Sequence, residues 1–169
     1  METIHIRKAE KDDLQAVMRL IDIGRSVMRR NGNRQQWANG NPDIDTVIRD
    51  IERGNSYICT EEGRTVGTFV LSEGPESTYN HIYEGAWIDE EKPYYVIHRI
   101  AGVPDYHGIF MATIEFSRNF TNNIRIDTHR ENLIMQHILL KHNFNYCGLI
   151  YLQNGDERLA YQRIEAVEP

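Results

Sequence analysis

The stretch PYYVIHRIAGVPDYHGIF, residues 93–110, constrains the fold more than any other part of the chain. Its first half is rich in β-branched and aromatic residues, the composition of a buried strand. A lone bend glycine, Gly108, precedes a predicted helix over 109–120, with Ile109, Ala112, Thr113 and Phe116 along one side. A strand that passes through a glycine bend into a helix points free backbone N–H groups at the positive end of a helix dipole, which is how proteins hold phosphate. Phosphate loops usually spend more than one glycine there. On the loop alone, an ordinary strand–turn–helix corner is the better reading, so the rest of the chain has to decide.

The remaining periodicities predict a mixed α/β sheet. Ile4 and Ile6 alternate with His5 and Arg7, as in a half-buried strand. Leu14, Val17, Met18 and Ile21 recur at helical spacing. For a second helix, Asn41 is read as N-cap and Pro42 as first helical residue, with Ile44, Val47, Ile48 and Ile51 inward and Gly54 as its stop. SYICTEE and TVGTFVLSE form a hairpin around Glu62-Gly63. Residues 74–93 show no clear period, with a short strand expected around His81 to Glu84. NIRIDTH reads as a strand and 130–142 as a helix, with Ile134, Met135, Ile138 and Leu139 inward. YCGLIYL and RLAYQRI, separated by Asn154-Gly155-Asp156, close the sheet. The order β, α, α, β, β, β, α, β, α, β, β is not a doubly wound alternation.

The chain has 169 residues and no internal repeat, so residues 1–169 are read as one domain. Hydrophobic residues at 40% against charged ones at 26% give a globular balance. A net charge of −6 argues against nucleic acid as partner. No apolar run reaches the roughly 18 residues of a membrane span, and METIHIRKAEKDD lacks an apolar signal region. Cys59 and Cys147, each within an apolar run, are read as reduced core residues of a cytoplasmic protein. His137 and His142 miss the i, i+4 spacing of a metal pair, and no metal is expected. The oligomeric state stays open, a homodimer included.

The element order, with the segments PYYVIHRIA, NIRIDTHRENLIMQHILLKHNFNYCGLIYL and NGDERLAYQ, resembles the GNAT superfamily of N-acetyltransferases. The likeness covers nearly the whole chain and is strongest from Pro93 to Arg163. It points to a bacterial branch with HRIA, RIDTH and N-x-x-M-Q motifs; Gln36-Trp37 and Pro42 also fit, with Asn41 where that branch tends to have tyrosine. The resemblance implies a mixed central sheet of about six or seven strands with helices on both faces. It also implies fourth and fifth strands that splay apart around acetyl-CoA. The pantetheine arm would pair with the backbone at Ile100 and Gly102. The diphosphate would meet the N–H groups of His107, Gly108, Ile109, Phe110 and Met111, and Asn132 would bond the pantetheine. Phe110 falls where the superfamily's loop has a second small residue, no arginine opens the loop, and Leu139 replaces the usual tyrosine acid.

Acetyl transfer to an amine needs a proton acceptor and a donor for the oxyanion. His98, on the cofactor strand, is the candidate base, and Glu84 the runner-up. Simple strand alternation puts His98 and Ile100 on one face and Arg99 on the other. Asp127 is read as a cap of the next helix. Trp37, Tyr83 and Trp87, with Tyr79, Tyr94 and Tyr95, are the aromatic candidates for an acceptor pocket, and the acidic residues nearby would attract a cationic amine. The expected activity is acetyl-CoA-dependent N-acetylation of a primary amine on a small molecule or peptide, by direct attack in a ternary complex. The alternatives are a catalytically weak or inactive CoA-binding or sensor protein of the same fold, and an interaction module without cofactor.

Overall fold

The computed structural model describes residues 3–167. Its elements are β1 (His5–Lys8), α1 (Leu14–Arg30), α2 (Ile44–Glu52), β2 (Ser56–Glu61), β3 (Arg64–Glu73), β4 (Tyr95–Gly102), α3 (Ile109–Ser117), β5 (Asn123–Thr128), α4 (Leu133–Lys141), β6 (Asn145–Tyr151) and β7 (Glu157–Ile164). This is the order that the periodicities predict. The strands form one seven-stranded sheet in the order β1-β2-β3-β4-β5-β7-β6. Only β4 and β5 run parallel; every other neighbouring pair is antiparallel. No described helix is long and apolar enough to cross a membrane.

Strand alternation sorts the core into two layers. Tyr57, Phe69, Ile97, Ile126 and Leu149 face α3 and α4, where they bury Ile109, Phe110, Ile114 and Leu139. Ile58, on the other face, packs with Ala9 against Val17 and Ile21 of α1 and Val47 and Ile51 of α2. Further along that second face, residues 74–94 take over the role of a helix. Tyr79, Trp87 and Tyr94 bury Val96, Ile150 and Ala160. Polar groups from the sheet pin this segment. The Arg125 guanidinium lies 4.0 Å from the Trp87 ring centroid and 3.9 Å from that of Tyr94. Its Nη2 donates to the Asp89 carbonyl at 3.1 Å, and Gln162 Oε1 accepts from Ile88 N at 2.8 Å.

Local details depart from the sequence reading. Asp43, not Asn41, caps α2: its carboxylate accepts from Thr46 N at 2.8 Å. Pro42 therefore precedes the helix, and Ile44 turns to solvent at the first position. Ile134 is likewise exposed, on the second position of α4, where it borders an open cleft. The strand expected at 81–84 is reduced to one bridge between Tyr83 and Leu149. Cys59 and Cys147 are free and buried, and burial pushes the Cys59 thiol up to about 12.

Two features of β4 prepare the site. The strand pairs with β5 only through Tyr95–Ile124 and Val96–Arg125, after which the two separate. From Ile97 to Gly102 that edge of β4 has no strand partner. The other edge, against β3, carries a bulge: Thr68 faces Ala101 and Val70 faces His98, so β4 spends one extra residue opposite Phe69. Arg99 lies in this bulge with φ 47°. A non-glycine residue in that region is strained, and such strain gathers at functional sites.

Candidate active site

Beside the end of β4 that has left β5 lies a cleft of about 840 Å³. Its walls come from the end of β4, the bend and first turn of α3, the length of α4 and one side of α1. Ile100, Gly102, His107, Gly108, Ile109, Phe110, Met111 and Asn132 all line it. Gly108 adopts φ 126°, and a Cβ there would meet only Tyr106 Cε1, at 3.9 Å, so the bend is open. No side chain caps α3. Among the described residues, the N–H groups of residues 107–111 have no hydrogen-bond partner. These are the orphan donors of a helix start. Phe110 does not close the bend. Its ring packs 5.2 Å from His142 and 6.0 Å from Phe144, in the core.

Asn132 is the N-cap of α4: Oδ1 accepts from Met135 N at 3.1 Å and Nδ2 donates to Gln36 Oε1 at 3.0 Å. Gln36 Oε1 also accepts from Asn33 Nδ2 at 3.1 Å and His129 N at 3.2 Å. One amide thereby ties the α1–α2 connection to the mouth of the cleft. It also corrects the reading of Asp127, since the cap is Asn132. Leu139 is fully buried in the core, so its position offers no group to a leaving thiolate. Tyr106 lines the cleft at the bend, and Tyr146 is exposed on β6. Leu139→Tyr is therefore expected to overpack the core, costing about 1–3 kcal/mol in urea denaturation, without speeding thiol release. A faster rate would show that position 139 reaches the cleft.

A second cavity of about 310 Å³ shares Met28, Ile100, Asn132 and Met135 with the cleft. A third, of about 340 Å³, shares His98, Arg99, Asp127 and Leu152 with the second. His98 and Arg99 both line the second and third cavities, whereas Ile100, which borders only the second of the two, packs against the core layer that holds Ile109 and Leu139. The bulge thus corrects the simple alternation: the extra residue brings two successive side chains to one face. His98 Nε2 is hydrogen-bonded to the Glu76 carboxylate, and Nδ1 has no partner among the described residues. Arg99 grips Asp50 of α2 with Nε at 2.6 Å and Nη2 at 2.7 Å. Tyr79 donates from its hydroxyl to Asp127 Oδ2 at 2.6 Å. Burial, then the charges of Asp127 and Glu76, hold the Tyr79 phenol well above its ordinary value, so it is a proton donor and not a phenolate.

Trp37 lines the second cavity. Its ring crosses α1 at Gly24, where a Cβ would stand 2.8 Å from Trp37 Cζ3, so that helix needs a residue without a side chain. The structure does not bring Glu84, Tyr83 or Trp87 to either cavity. Glu84 is exposed, Tyr83 stacks near His81 and Tyr151 on the surface, and Trp87 is buried over Arg125. The sequence reading named Tyr79 only as an aromatic candidate for the pocket wall, and it missed Glu76, Arg99, Asp50 and Arg158. The signal for two of them was available: Arg99 and Arg158 are charges inside otherwise apolar strand runs.

No protein-family model matches this sequence, and no curated protein matches it. Among solved structures, the chain is similar to an acetyltransferase of the GNAT family from Streptococcus agalactiae. The identity is 32% and the TM-score 0.87, with 97% of this chain and 96% of that one covered. It is also similar to a ribosomal-protein-alanine N-acetyltransferase from Brucella melitensis, at 18% identity and TM-score 0.61 over 95% of this chain and 99% of that one. A third similar chain comes from the NatC complex bound to Gag peptide and CoA, at 14% identity and TM-score 0.61 over 98% and 100%. The latter two show likeness of fold alone. The first reaches further: at that identity over nearly the full length of both chains, the protein belongs to the GNAT family of acetyltransferases.

Proposed function

We propose that residues 1–169 act as one acetyl-CoA-dependent N-acetyltransferase domain, transferring acetyl to the primary amine of a small molecule or peptide in a ternary complex. The observation that carries this reading is the unpaired edge of β4 beside a bend with free N–H groups. That donor set fits CoA. An open strand edge suits the amides of pantetheine, and a row of helix-start N–H groups suits a diphosphate. The solved NatC complex contains CoA, which supports the same assignment.

The chain's own residues divide the work as follows. Ile100 and Gly102 hold the pantetheine arm through backbone groups. Residues 107–111 hold the diphosphate. Acetyl-CoA supplies the thioester carbonyl and the thiolate leaving group. His98 accepts the proton of the attacking amine, directly or through one water. Glu76 orients it: a carboxylate on Nε2 favours the proton there and leaves Nδ1 as the acceptor. A backbone N–H on the open edge of β4 donates to the carbonyl oxygen as charge builds. Trp37 and Arg99 shape the acceptor cavity.

Leu139 favours one second reading, a CoA-binding protein with weak or no catalysis, because its buried side chain offers no acid. Two measurements separate these. CoA at about a hundred times its Kd should stabilise the protein by about 2.7 kcal/mol, or roughly 5–10 °C in Tm. Free thiol should then appear from acetyl-CoA in the presence of a panel of primary amines. A shift without thiol release supports the second reading; no shift at millimolar CoA contradicts both.

A further inference from the structure

The charges of the acceptor cavities are not all spent on one another. Asp50 is engaged by Arg99 through both carboxylate oxygens. Glu76 is engaged by His98. Arg158, from β7, is different. It is buried, at 5% exposure, yet among the described residues the only hydrogen bond of its guanidinium runs from Nη1 to the Glu157 carbonyl, at 2.9 Å. Its Nε stands 3.9 Å from Asp127 Oδ1, beyond hydrogen-bond reach. Neither Nε nor Nη2 is sealed in the interior, and the residue lines the second cavity. Asp127 is the mirror case. Its Oδ2 is taken by Tyr79, while Oδ1 receives no hydrogen bond among the described residues.

A guanidinium this buried costs stability unless something meets its donors. Its planar fork matches the two oxygens of a carboxylate. The free oxygen of Asp127 matches an ammonium. A molecule with a carboxylate and an amine a few bonds apart satisfies both at once. Its amine would then share a cavity with His98 and lie beside the cofactor cleft through Ile100 and Met135.

We infer that the acceptor is an amine carrying its own carboxylate, as a free amino acid does, with Arg158 binding the carboxylate and Asp127 receiving the ammonium. This rests on the acetyltransferase reading above and narrows it. A peptide N-terminus fits less well, because its first residue has spent the carboxyl in an amide and leaves Arg158 unmet. The step itself is ordinary acyl transfer: the bound ammonium first gives one proton to His98, which passes it to solvent; the free amine nitrogen then bonds to the acetyl carbon and gives its second proton to His98, the C–S bond breaks, and CoA leaves as thiolate.

The test compares matched acceptors by thiol release: the common free amino acids, their carboxamides, and the amines that lack the carboxylate, such as leucine, leucinamide and 3-methylbutylamine. At least one amino acid should exceed its carboxamide and its decarboxylated counterpart in kcat/KM by about 10–100-fold, the value of a charged hydrogen-bonded pair. Arg158→Gln should raise KM for that amino acid by a similar factor, leave KM for the decarboxylated amine within about twofold, and leave the CoA-induced shift in place. Arg158→Lys should recover part of the loss. Equal turnover of the three acceptor types by the unaltered protein overturns the inference, and this comparison stands even if the Arg158 variants fail to fold. If no amine is acetylated, calorimetry of the CoA-loaded protein with the same compounds decides. Selective amino-acid binding would keep the assignment of Arg158 and Asp127 to an amino-acid ligand while removing the catalytic reading, and no selective binding would overturn that assignment too.

Discussion

Gly108→Asp is expected to abolish CoA binding while the protein stays folded. Position 108 has φ 126° and open space where a Cβ would stand. Any other residue there carries backbone strain of about 1–3 kcal/mol, and Gly108→Ala isolates that part. The aspartate adds a negative charge beside the N–H groups assigned to the diphosphate. Two like charges about 4 Å apart repel by about 4 kcal/mol at the effective dielectric of a protein surface. Binding should therefore weaken by at least about a hundredfold, against less than about tenfold for alanine. Titration calorimetry with CoA reads both, and far-ultraviolet circular dichroism checks the fold. Equal CoA affinity in the aspartate variant and the unaltered protein would remove the diphosphate from the bend.

His98→Ala is expected to lower kcat by about 10²–10⁴, the usual worth of a positioned general base, with CoA affinity unchanged. The separation follows from geometry, since His98 lines the two acceptor-side cavities and not the cofactor cleft. Glu76→Gln keeps the hydrogen bond but not the charge and should cost less, roughly tenfold. A kcat for His98→Ala within about threefold of the unaltered enzyme would assign the histidine a structural role.

Much of this architecture is legible in the chain. The order of elements follows from periods of 2 and 3.6 and from a few glycines, because burial of one face per element is what those periods encode. The β4–α3 wall of the cleft was also legible. A strand, a bend and a helix are contiguous in sequence, so Ile100, Gly102 and residues 107–111 fall together without long-range information. The acceptor side was not, and the reasons are specific. The bulge at Arg99 is dictated by pairing with Phe69, thirty residues upstream in sequence, and an arginine carries no local signal for positive φ. Asp127 meets Tyr79 and Arg158 only because β5 pairs with β7 and the segment 74–94 crosses that face. That segment has no period because it is fixed by buried polar partners. Arg125 takes Trp87 out of the acceptor site by drawing its ring onto the guanidinium, and the Tyr83–Leu149 bridge carries Tyr83 and its neighbour Glu84 to the β6 edge. Buried Arg125 and Gln162, polar residues amid apolar strand runs, were the available hint that something polar crosses there.

The central claim concerns where one cofactor lies, and a crystal structure of the protein saturated with CoA tests it most directly. The account predicts pantetheine density between β4 and β5, running along Ile100 to Gly102 as an added strand, with diphosphate oxygens within hydrogen-bond distance of the N–H groups of Ile109 to Met111. CoA seated anywhere else, or β4 and β5 drawn together along their length in the complex, would contradict it.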